Sequence, residues 1–175
     1  MVQGRPGYSM ATVVLKAGHI QPVWAGHPWV YAQAVQRVEG GAVAGDEVAV
    51  TDPRGNYMGR GFYSPGSAIP VRILVRDSET PIDTALFRAR VKHAVERRGL
   101  LGLPSAETNA VRIIHAEGDD LPGLVVDLFG DVAVVQIGTI GMKRREDMIL
   151  DAIEEAVSPR AIIDRTSAST ARSER

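Results

Sequence analysis

The stretch GDEVAVTDPRGNYMGRGFYSPGSAIPVRILVR, residues 45–76, decides the fold of the first part of the chain. It contains three short runs in which apolar residues alternate with other residues, at 47–50, 57–63 and 68–75. Alternation with a period of two is typical of half-buried strands, and the clusters of Pro, Gly, Asp and Ser between the runs are typical of tight turns. The stretch therefore predicts a meander of antiparallel strands within a small closed β-barrel.

Arginines and aromatic residues are concentrated in this stretch and just before it. No nucleophile beside an activating base accompanies them in the sequence. Aromatic rings beside arginines suit stacking on unpaired bases and contact with phosphates, whereas a barrel core with unrelated surface charge is the alternative. The pattern favours a binding surface over a catalytic centre. The arginines are Arg54, Arg60, Arg72 and Arg76, and the aromatic residues are Trp24, Trp29, Tyr31, Tyr57, Phe62 and Tyr63.

Charge is distributed unevenly along the 175 residues. Residues 1–98 carry 12 Lys and Arg against 8 Asp and Glu, whereas residues 99–175 carry 8 against 13. A basic first part joined to an acidic second part predicts two units with different partners.

The composition also limits the environment of the protein. The chain has no cysteine, which excludes disulfides and cysteine-based metal sites and makes a reducing cytoplasm the expected location. No apolar run approaches the roughly 20 residues of a membrane helix, so no membrane is expected as a partner.

The order of the predicted elements indicates an α+β protein. Residues 1–9 are polar and Gly-rich and are expected to be a disordered leader. A small β-barrel is predicted over residues 10–77, and a polar, Pro-containing stretch then separates it from a compact α-β-β-β-α-β unit over residues 82–164. Residues 165–175 read as a polar linker or tail.

Two helices and an acidic turn characterise the second unit. Asp83 is predicted to cap a helix whose outer side is rich in Lys and Arg, either as a solvated face or as a face toward phosphates. A second helix, with Met148 on its inner side, is predicted over residues 143–157. Asp119 and Asp120 lie between Gly and Pro residues, so turn geometry is favoured over a metal or acid–base site.

Three motifs carry a resemblance to a known family. They are GHPWVY at residues 26–31, GRGFYSP at residues 59–65 and EGDDLPGLVVD at residues 117–127. Together they resemble the N-terminal PUA domain and the central domain of the S-adenosylmethionine-dependent methyltransferases that make 5-methylcytosine in large-subunit ribosomal RNA. The resemblance covers about residues 10–175 and implies a PUA-like barrel that binds ribosomal RNA.

The RNA groove of PUA domains lies between the short helix and the neighbouring barrel strands. By this resemblance, the expected RNA-binding residues are Lys16, His27, Trp29, Arg60, Tyr63, Arg72 and Arg76. The arginines would contact phosphates or guanine edges, and Trp29 and Tyr63 could instead be structural. A homodimer is a further expectation.

The resemblance also implies what this chain lacks. In the family a Rossmann-like domain binds S-adenosylmethionine and a cysteine thiolate attacks the cytosine ring, but the sequence resembles no such domain and contains no cysteine. S-adenosylmethionine is therefore expected for the full-length parent. In this chain no cofactor, metal or catalytic residue is expected, and the chain is expected to be truncated before the catalytic domain and inactive on its own.

Two other functions are open from the residues. The chain could be a stand-alone, non-enzymatic PUA-type module that binds RNA or takes part in ribosome assembly. It could also be a scaffold whose acidic second unit binds a protein.

Overall fold

Residues 10–166 are the part of the chain that the structure, a computed structural model, describes. The chain divides into two units, Met1–Ser78 and Glu79–Arg175. The predicted leader and the predicted tail beyond residue 166 lie outside the described residues.

The first unit is built on one six-stranded sheet with the order β2-β6-β5-β4-β1-β3. Neighbouring strands are antiparallel except for β1 and β4, which are parallel. A one-turn helix, α1 (Gln21–Trp24), and two 3-10 turns, Ala17–His19 and Ala32–Ala34, connect the early strands. The strands are β1 (Thr12–Leu15), β2 (Trp29–Val30), β3 (Val35–Glu39), β4 (Glu47–Thr51), β5 (Tyr57–Tyr63) and β6 (Val71–Val75).

This sheet is curled into half a barrel rather than the closed barrel predicted from the alternating pattern. Within residues 10–166 no ladder of hydrogen bonds joins the edge strands β2 and β3. Strand β2 has only two residues and leads within one residue into a 3-10 turn, so it presents too little backbone to pair with β3. Period-two alternation identifies strands but does not report whether the first and last of them meet.

The core of the first unit lies on one face of the curled sheet. Val71 and Ile73 of β6 are buried there, whereas Arg72 between them points to the opposite face. Strand β5 approaches β6 closely at Gly61, where an added Cβ atom would lie 2.0 Å from the carbonyl oxygen of Arg72. Glycine is therefore required for this strand pairing. The remaining core residues are Ala11, Val13, Leu15, Val23, Val30, Ala34, Val48 and Val50.

The second unit is a four-stranded sheet with the order β10-β9-β8-β7. Strands β10 and β9 are parallel and the other pairs are antiparallel. Helices α2 and α4 contact one another. The elements in chain order are α2 (Thr84–Leu100), β7 (Ala110–His115), a 3-10 turn (Ala116–Asp119), β8 (Leu124–Phe129), β9 (Val132–Ile137), α3 (Ile140–Lys143), α4 (Glu146–Val157) and β10 (Ala161–Asp164).

The helices of this unit differ from the prediction in two details. Asp83 caps α2 as predicted, because its Oδ1 accepts a hydrogen bond of 3.1 Å from the Leu86 N–H. The helix predicted over residues 143–157 is divided, since α3 ends at Lys143 and α4 begins at Glu146. Met148 is exposed, so its predicted inward position is wrong. The buried side of α4 is centred on Ile149, Ala152 and Ile153, and Met148 lies at the margin of that stripe.

The end of β10 is anchored to its neighbours. One carboxylate oxygen of Asp164 accepts a hydrogen bond of 2.7 Å from the Thr166 N–H, and the other accepts one of 2.9 Å from Lys143 Nζ. The hydrogen bond between the side chains of Thr166 and Asp164 and the bond from Lys143 outweigh burial and, with the Thr166 N–H bond, lower the pKa of Asp164 to about 2. The Thr166 hydroxyl in turn accepts a bond of 2.9 Å from the Ile137 N–H, so the chain stays attached to β9 beyond the strand itself.

Asp119 is the ionic centre of the second unit. Its side chain is 1% exposed, and its carboxylate accepts hydrogen bonds from Arg97 Nη1 at 3.1 Å, from Arg98 Nη2 at 2.7 Å and from the His115 N–H at 2.7 Å. The neighbouring residue, Asp120, has the left-handed backbone that suits a turn, as the sequence predicted. The sequence did not reveal that Asp119 is a buried anchor.

Most bases of α2 are therefore used inside the unit. Arg90 donates to the Asp120 carbonyl at 2.6 Å, and Arg88 pairs with Glu155 of α4 at 2.9 Å. Arg97 and Arg98 are bound to Asp119, whereas Lys92 and His93 on the same helix are exposed to solvent.

Replacement of Asp119 by alanine is expected to destabilise the second unit by about 3–5 kcal/mol, because it leaves the partly buried Arg98 without its carboxylate. Burial tends to raise the pKa of Asp119, but the bonds from Arg98 and the His115 N–H and the charges of Arg98 and Arg97 outweigh it and lower the pKa. The stabilisation is thus complete above the ordinary Asp pKa and is lost as the pH falls through the lowered value. Urea unfolding at several pH values measures both effects.

The matched control is Asp131→Asn, which removes one partner of the exposed Asp131–Arg160 pair. It should leave the urea midpoint at neutral pH unchanged, because exposed ion pairs contribute little. Equal midpoints for Asp119→Ala and the control would contradict the role of Asp119.

Candidate nucleic-acid interface

Three rings from the chain around β2 form a cluster on the first unit. The ring of His27 lies 5.5 Å from that of Trp29 and 6.1 Å from that of Tyr31, and the rings of Trp29 and Tyr31 are also 6.1 Å apart. The spacing of two residues along extended backbone brings the three side chains to one side. His27 and Trp29 were predicted as site residues; Tyr31 was not, although the same spacing would have identified it.

The imidazole of His27 has a defined orientation. Its Nδ1 accepts a hydrogen bond of 3.2 Å from the Trp29 N–H, so in the neutral ring the proton lies on Nε2. His27 is exposed, and Nε2 can therefore donate a hydrogen bond to a ligand. A ring with one outward donor and two aromatic neighbours suits contact with a phosphate next to a stacked base.

Backbone hydrogen bonds connect Lys16, by way of Ala34, to Tyr31 of the ring cluster. Its N–H donates to the Ala34 carbonyl at 2.8 Å, and the Ala34 N–H donates to the Tyr31 carbonyl at 2.9 Å. The Lys16 side chain is exposed at the start of the Ala17–His19 turn. Lys16 thus provides an exposed positive charge two backbone hydrogen bonds away from Tyr31.

Arg72 shares a sheet face with Trp29. The two residues are directly paired between β6 and β2, and Arg72 is paired with Phe62 of β5 on its other side. Directly paired residues point to the same face of a sheet, so Arg72 and Trp29 form one row across the strands. The structure therefore brings together Arg72, Trp29 and His27 of the predicted set.

Arg60 and Tyr63 have clear structural contacts. Arg60 Nη1 pairs with Glu47 Oε1 at 3.3 Å, and the Arg60 side chain is only 13% exposed. Tyr63 is half-buried against the core, and its N–H donates to the Asp46 carbonyl at 2.9 Å. Both residues support the strands beside the ring cluster.

Arg76 connects three segments of the first unit. Its Nη1 donates to the carbonyls of Val23 at 2.8 Å and Met58 at 3.2 Å, and its Nη2 donates to the carbonyl of His27 at 2.8 Å. Burial lowers the pKa of the guanidinium, which nevertheless stays charged at neutral pH. Arg76 thereby fastens α1 and the loop that carries His27 to β5.

A surface pocket of about 370 Å³ lies beside this arginine. Its walls come from the end of α1, from the beginning of β5 and from the residue after β6. The lining residues are Val23, Trp24, Ala25, Gly26, Tyr57, Met58 and Arg76.

A metal site and a membrane-spanning helix are both missing from residues 10–166. This part of the chain contains no group of three or more His, Cys, Asp and Glu residues that could hold a metal ion. It also contains no helix of the length and apolar character needed to cross a membrane.

The chain is similar to known proteins over the curled sheet of the first unit and over the second unit. Residues 13–76 match the family described as PUA-like domain. The chain is 37% identical over 156 residues to the ribosomal RNA large subunit methyltransferase I of Alteromonas mediterranea, covering 89% of this chain and 39% of that protein. The protein of the same name from Escherichia coli is 32% identical over 162 residues, covering 93% and 41%.

The chain is homologous to large-subunit ribosomal RNA methyltransferases. It contains a PUA-like domain and spans about two fifths of the length of the curated relatives it matches. A solved structure from Streptococcus mutans, described as a SAM-dependent methyltransferase, superposes with a TM-score of 0.77 at 14% identity, covering 89% of this chain and 41% of that chain. A second, described as a methyltransferase complexed with SAH, gives 0.76 at 14% identity, covering 88% and 40%. These two likenesses show the fold.

Replacement of Arg76 by methionine is expected to destabilise the first unit by about 2–4 kcal/mol, because three carbonyl oxygens lose charged hydrogen-bond donors. Urea unfolding measures the loss. Arg54→Ala is the control, since Arg54 is an exposed arginine of a turn and should leave the midpoint unchanged. An Arg76→Met chain as stable as the wild type would show that the three bonds do not hold the segments together.

Proposed function

We propose that this chain is the RNA-recognition portion of an S-adenosylmethionine-dependent methyltransferase that modifies carbon 5 of a cytosine in large-subunit ribosomal RNA. The observation that carries the proposal is the similarity to ribosomal RNA large subunit methyltransferase I, which extends over 89% of this chain and therefore runs through both units. The PUA-like match over residues 13–76 supports ribosomal RNA as the ligand of the first unit.

The proposed RNA surface is centred on the ring cluster. Lys16 and Arg72 contribute positive charge, His27 contributes an outward hydrogen-bond donor, and Trp29 contributes an aromatic face. The proposed set also includes residues that already support the fold at this place. They are Arg60, Tyr63 and Arg76.

In the proposed complex, individual side chains rather than the net charge of the first unit must provide the affinity for RNA. Residues 1–78 carry seven Lys and Arg against five Asp and Glu, and residues 79–175 carry 13 against 16. The count over residues 1–98 gave a larger basic excess because it included the Lys and Arg residues of α2. This helix belongs to the second unit. An excess of two charges steers RNA weakly, so stacking and a few phosphate contacts dominate the proposed binding.

Binding of a single-stranded large-subunit rRNA fragment, measured by fluorescence anisotropy across a salt series, tests the proposal. Lys16→Ala and Arg72→Ala are each expected to weaken binding and to reduce the slope of log K against log salt by about 1, because each removes one phosphate contact. Arg37→Ala is the control, since this exposed arginine of β3 pairs with Glu39 at 2.7 Å and lies outside the proposed surface. No binding by the wild type even at low salt would refute RNA docking.

The proposed function assigns the methyl donor to the parent protein, with the cytoplasm as its compartment. No residue of this chain is proposed to bind S-adenosylmethionine, and a thiolate attack on cytosine is impossible for a chain without cysteine. The homodimer stays a prediction.

This chain alone is therefore expected to transfer no methyl group to the rRNA fragment from radiolabelled S-adenosylmethionine, and calorimetry should show no binding of the donor. Saturable donor binding at low micromolar concentration, or methyl incorporation above that of a chain-free control, would contradict the division of roles.

A further inference from the structure

We propose that the pocket beside α1 captures one unpaired nucleobase of a bound RNA strand, stacked on the indole of Trp24. The inference rests on the proposed function and adds the ligand of one particular pocket. It concerns Trp24, Tyr57 and Met58, which are outside the set of RNA-binding residues predicted from the sequence.

The first observation is the solvent exposure of Trp24. Its side chain is 77% exposed, although tryptophan is among the residues that folding usually buries most extensively. Within residues 10–166 its indole makes no hydrogen bond and no ring contact. Trp29, the second tryptophan of the chain, is by contrast half-buried and belongs to the ring cluster. A large aromatic surface is thus held in solvent at the edge of a pocket.

The pocket is the second observation. Its volume of about 370 Å³ is at the lower end of the range of small-ligand sites, which suits a single planar ring system. Trp24 and Tyr57 supply two aromatic walls, and Ala25 and Gly26 leave one side open because their side chains are small or absent. An aromatic, apolar lining with one charged group is the usual composition of such sites.

Hydrogen bonds hold Tyr57 and the backbone of Val23 and Met58 in the absence of a ligand. The Tyr57 hydroxyl donates to the Asp77 carbonyl at 2.9 Å, and burial raises the pKa of Tyr57, so the hydroxyl keeps its proton. Arg76 holds the Val23 and Met58 carbonyls, and both residues line the pocket. These three residues therefore lose little conformational freedom when a ligand enters.

Charge favours a nucleotide over an apolar peptide side chain. In the described part of the chain, the acceptors of the Arg76 guanidinium are backbone carbonyls and no carboxylate neutralises it. Its positive charge lies beside the aromatic walls, where it attracts a phosphate or the oxygen atoms of a base. Because every base has a π face, a pocket of this kind accepts any of the four bases.

The pocket adjoins the proposed RNA surface. Arg76 bonds to the His27 carbonyl, and His27 follows Trp24 by three residues at the end of α1. When a phosphate of a bound RNA strand contacts His27, the bases next to that phosphate can therefore reach Trp24. The RNA groove predicted from the resemblance thereby gains a defined stacking position.

The experiment uses a single-stranded rRNA fragment of about eight nucleotides, within the range of known single-strand sites, and the same RNA with one abasic position moved along it. Trp24→Ala is expected to weaken binding of the intact RNA about 5- to 150-fold, the equivalent of about 1–3 kcal/mol for one stacked base, without a change in salt slope. Trp24→Phe should retain most of the affinity. In the wild type, tryptophan emission should be quenched by RNA, and this quenching should be reduced in Trp24→Ala.

The matched control is Leu101→Ala in the second unit. Leu101 is 74% exposed, close to the value for Trp24, so the variant removes similarly exposed apolar surface outside the pocket and should bind RNA as the wild type does. A urea midpoint equal to that of the wild type verifies that Trp24→Ala is folded, as expected for so exposed a side chain.

The outcomes separate the two proposals. Absence of RNA binding by the wild type would overturn the proposed function and the pocket together. Wild-type binding with unchanged affinity in Trp24→Ala would overturn the pocket alone and make Trp24 a candidate protein contact. Equal affinity for the intact and every abasic RNA would show that no base is captured and would also overturn the pocket.

Discussion

The proposed RNA-binding part of the first unit depends on the hydrogen bonds that the guanidinium of Arg76 donates. Three carbonyls converge on it, from Val23 in α1, from His27 in the following loop and from Met58 in β5. One of them precedes the exposed Trp24, another belongs to His27 of the ring cluster, and the third begins the wall formed by β5. A lysine has a single nitrogen and could not serve carbonyls in these directions with comparable geometry.

The second unit uses arginine in a related way. There the anchor is a carboxylate, Asp119, and Arg90, Arg97 and Arg98 of α2 converge on it and on carbonyls of the same turn. Both units thus use the hydrogen-bond donors of guanidinium groups to hold their own backbone or carboxylates. Counting arginines therefore overestimates the number of donors available to a ligand, and the position of an arginine in the hydrogen-bond network matters more than its presence.

Local pattern explains which features could be predicted from the sequence. The strands of residues 45–76 follow from alternation, and the cap at Asp83 follows from its position before a helical stripe. Long-range pairing explains the failures. The open edge at β2 and the burial of Asp119 depend on residues distant in the sequence. The same applies to the candidate site, where motifs indicated His27 and Trp29, but the pocket at Trp24 arises only once Tyr57 and Arg76 are brought beside it.

The sequence separation of the Arg76 bonds has a consequence for the order of folding. Arg76 lies 53 residues after Val23 and 49 residues after His27, close to the last residue of its unit. During synthesis, the loop after α1 and the beginning of β5 emerge long before the side chain that joins them. Closing so long a loop costs entropy, which the pairing of β6 with β5 next to Arg76 helps to offset. The three segments that Arg76 joins can therefore be fastened together only after nearly all of the first unit has been synthesised.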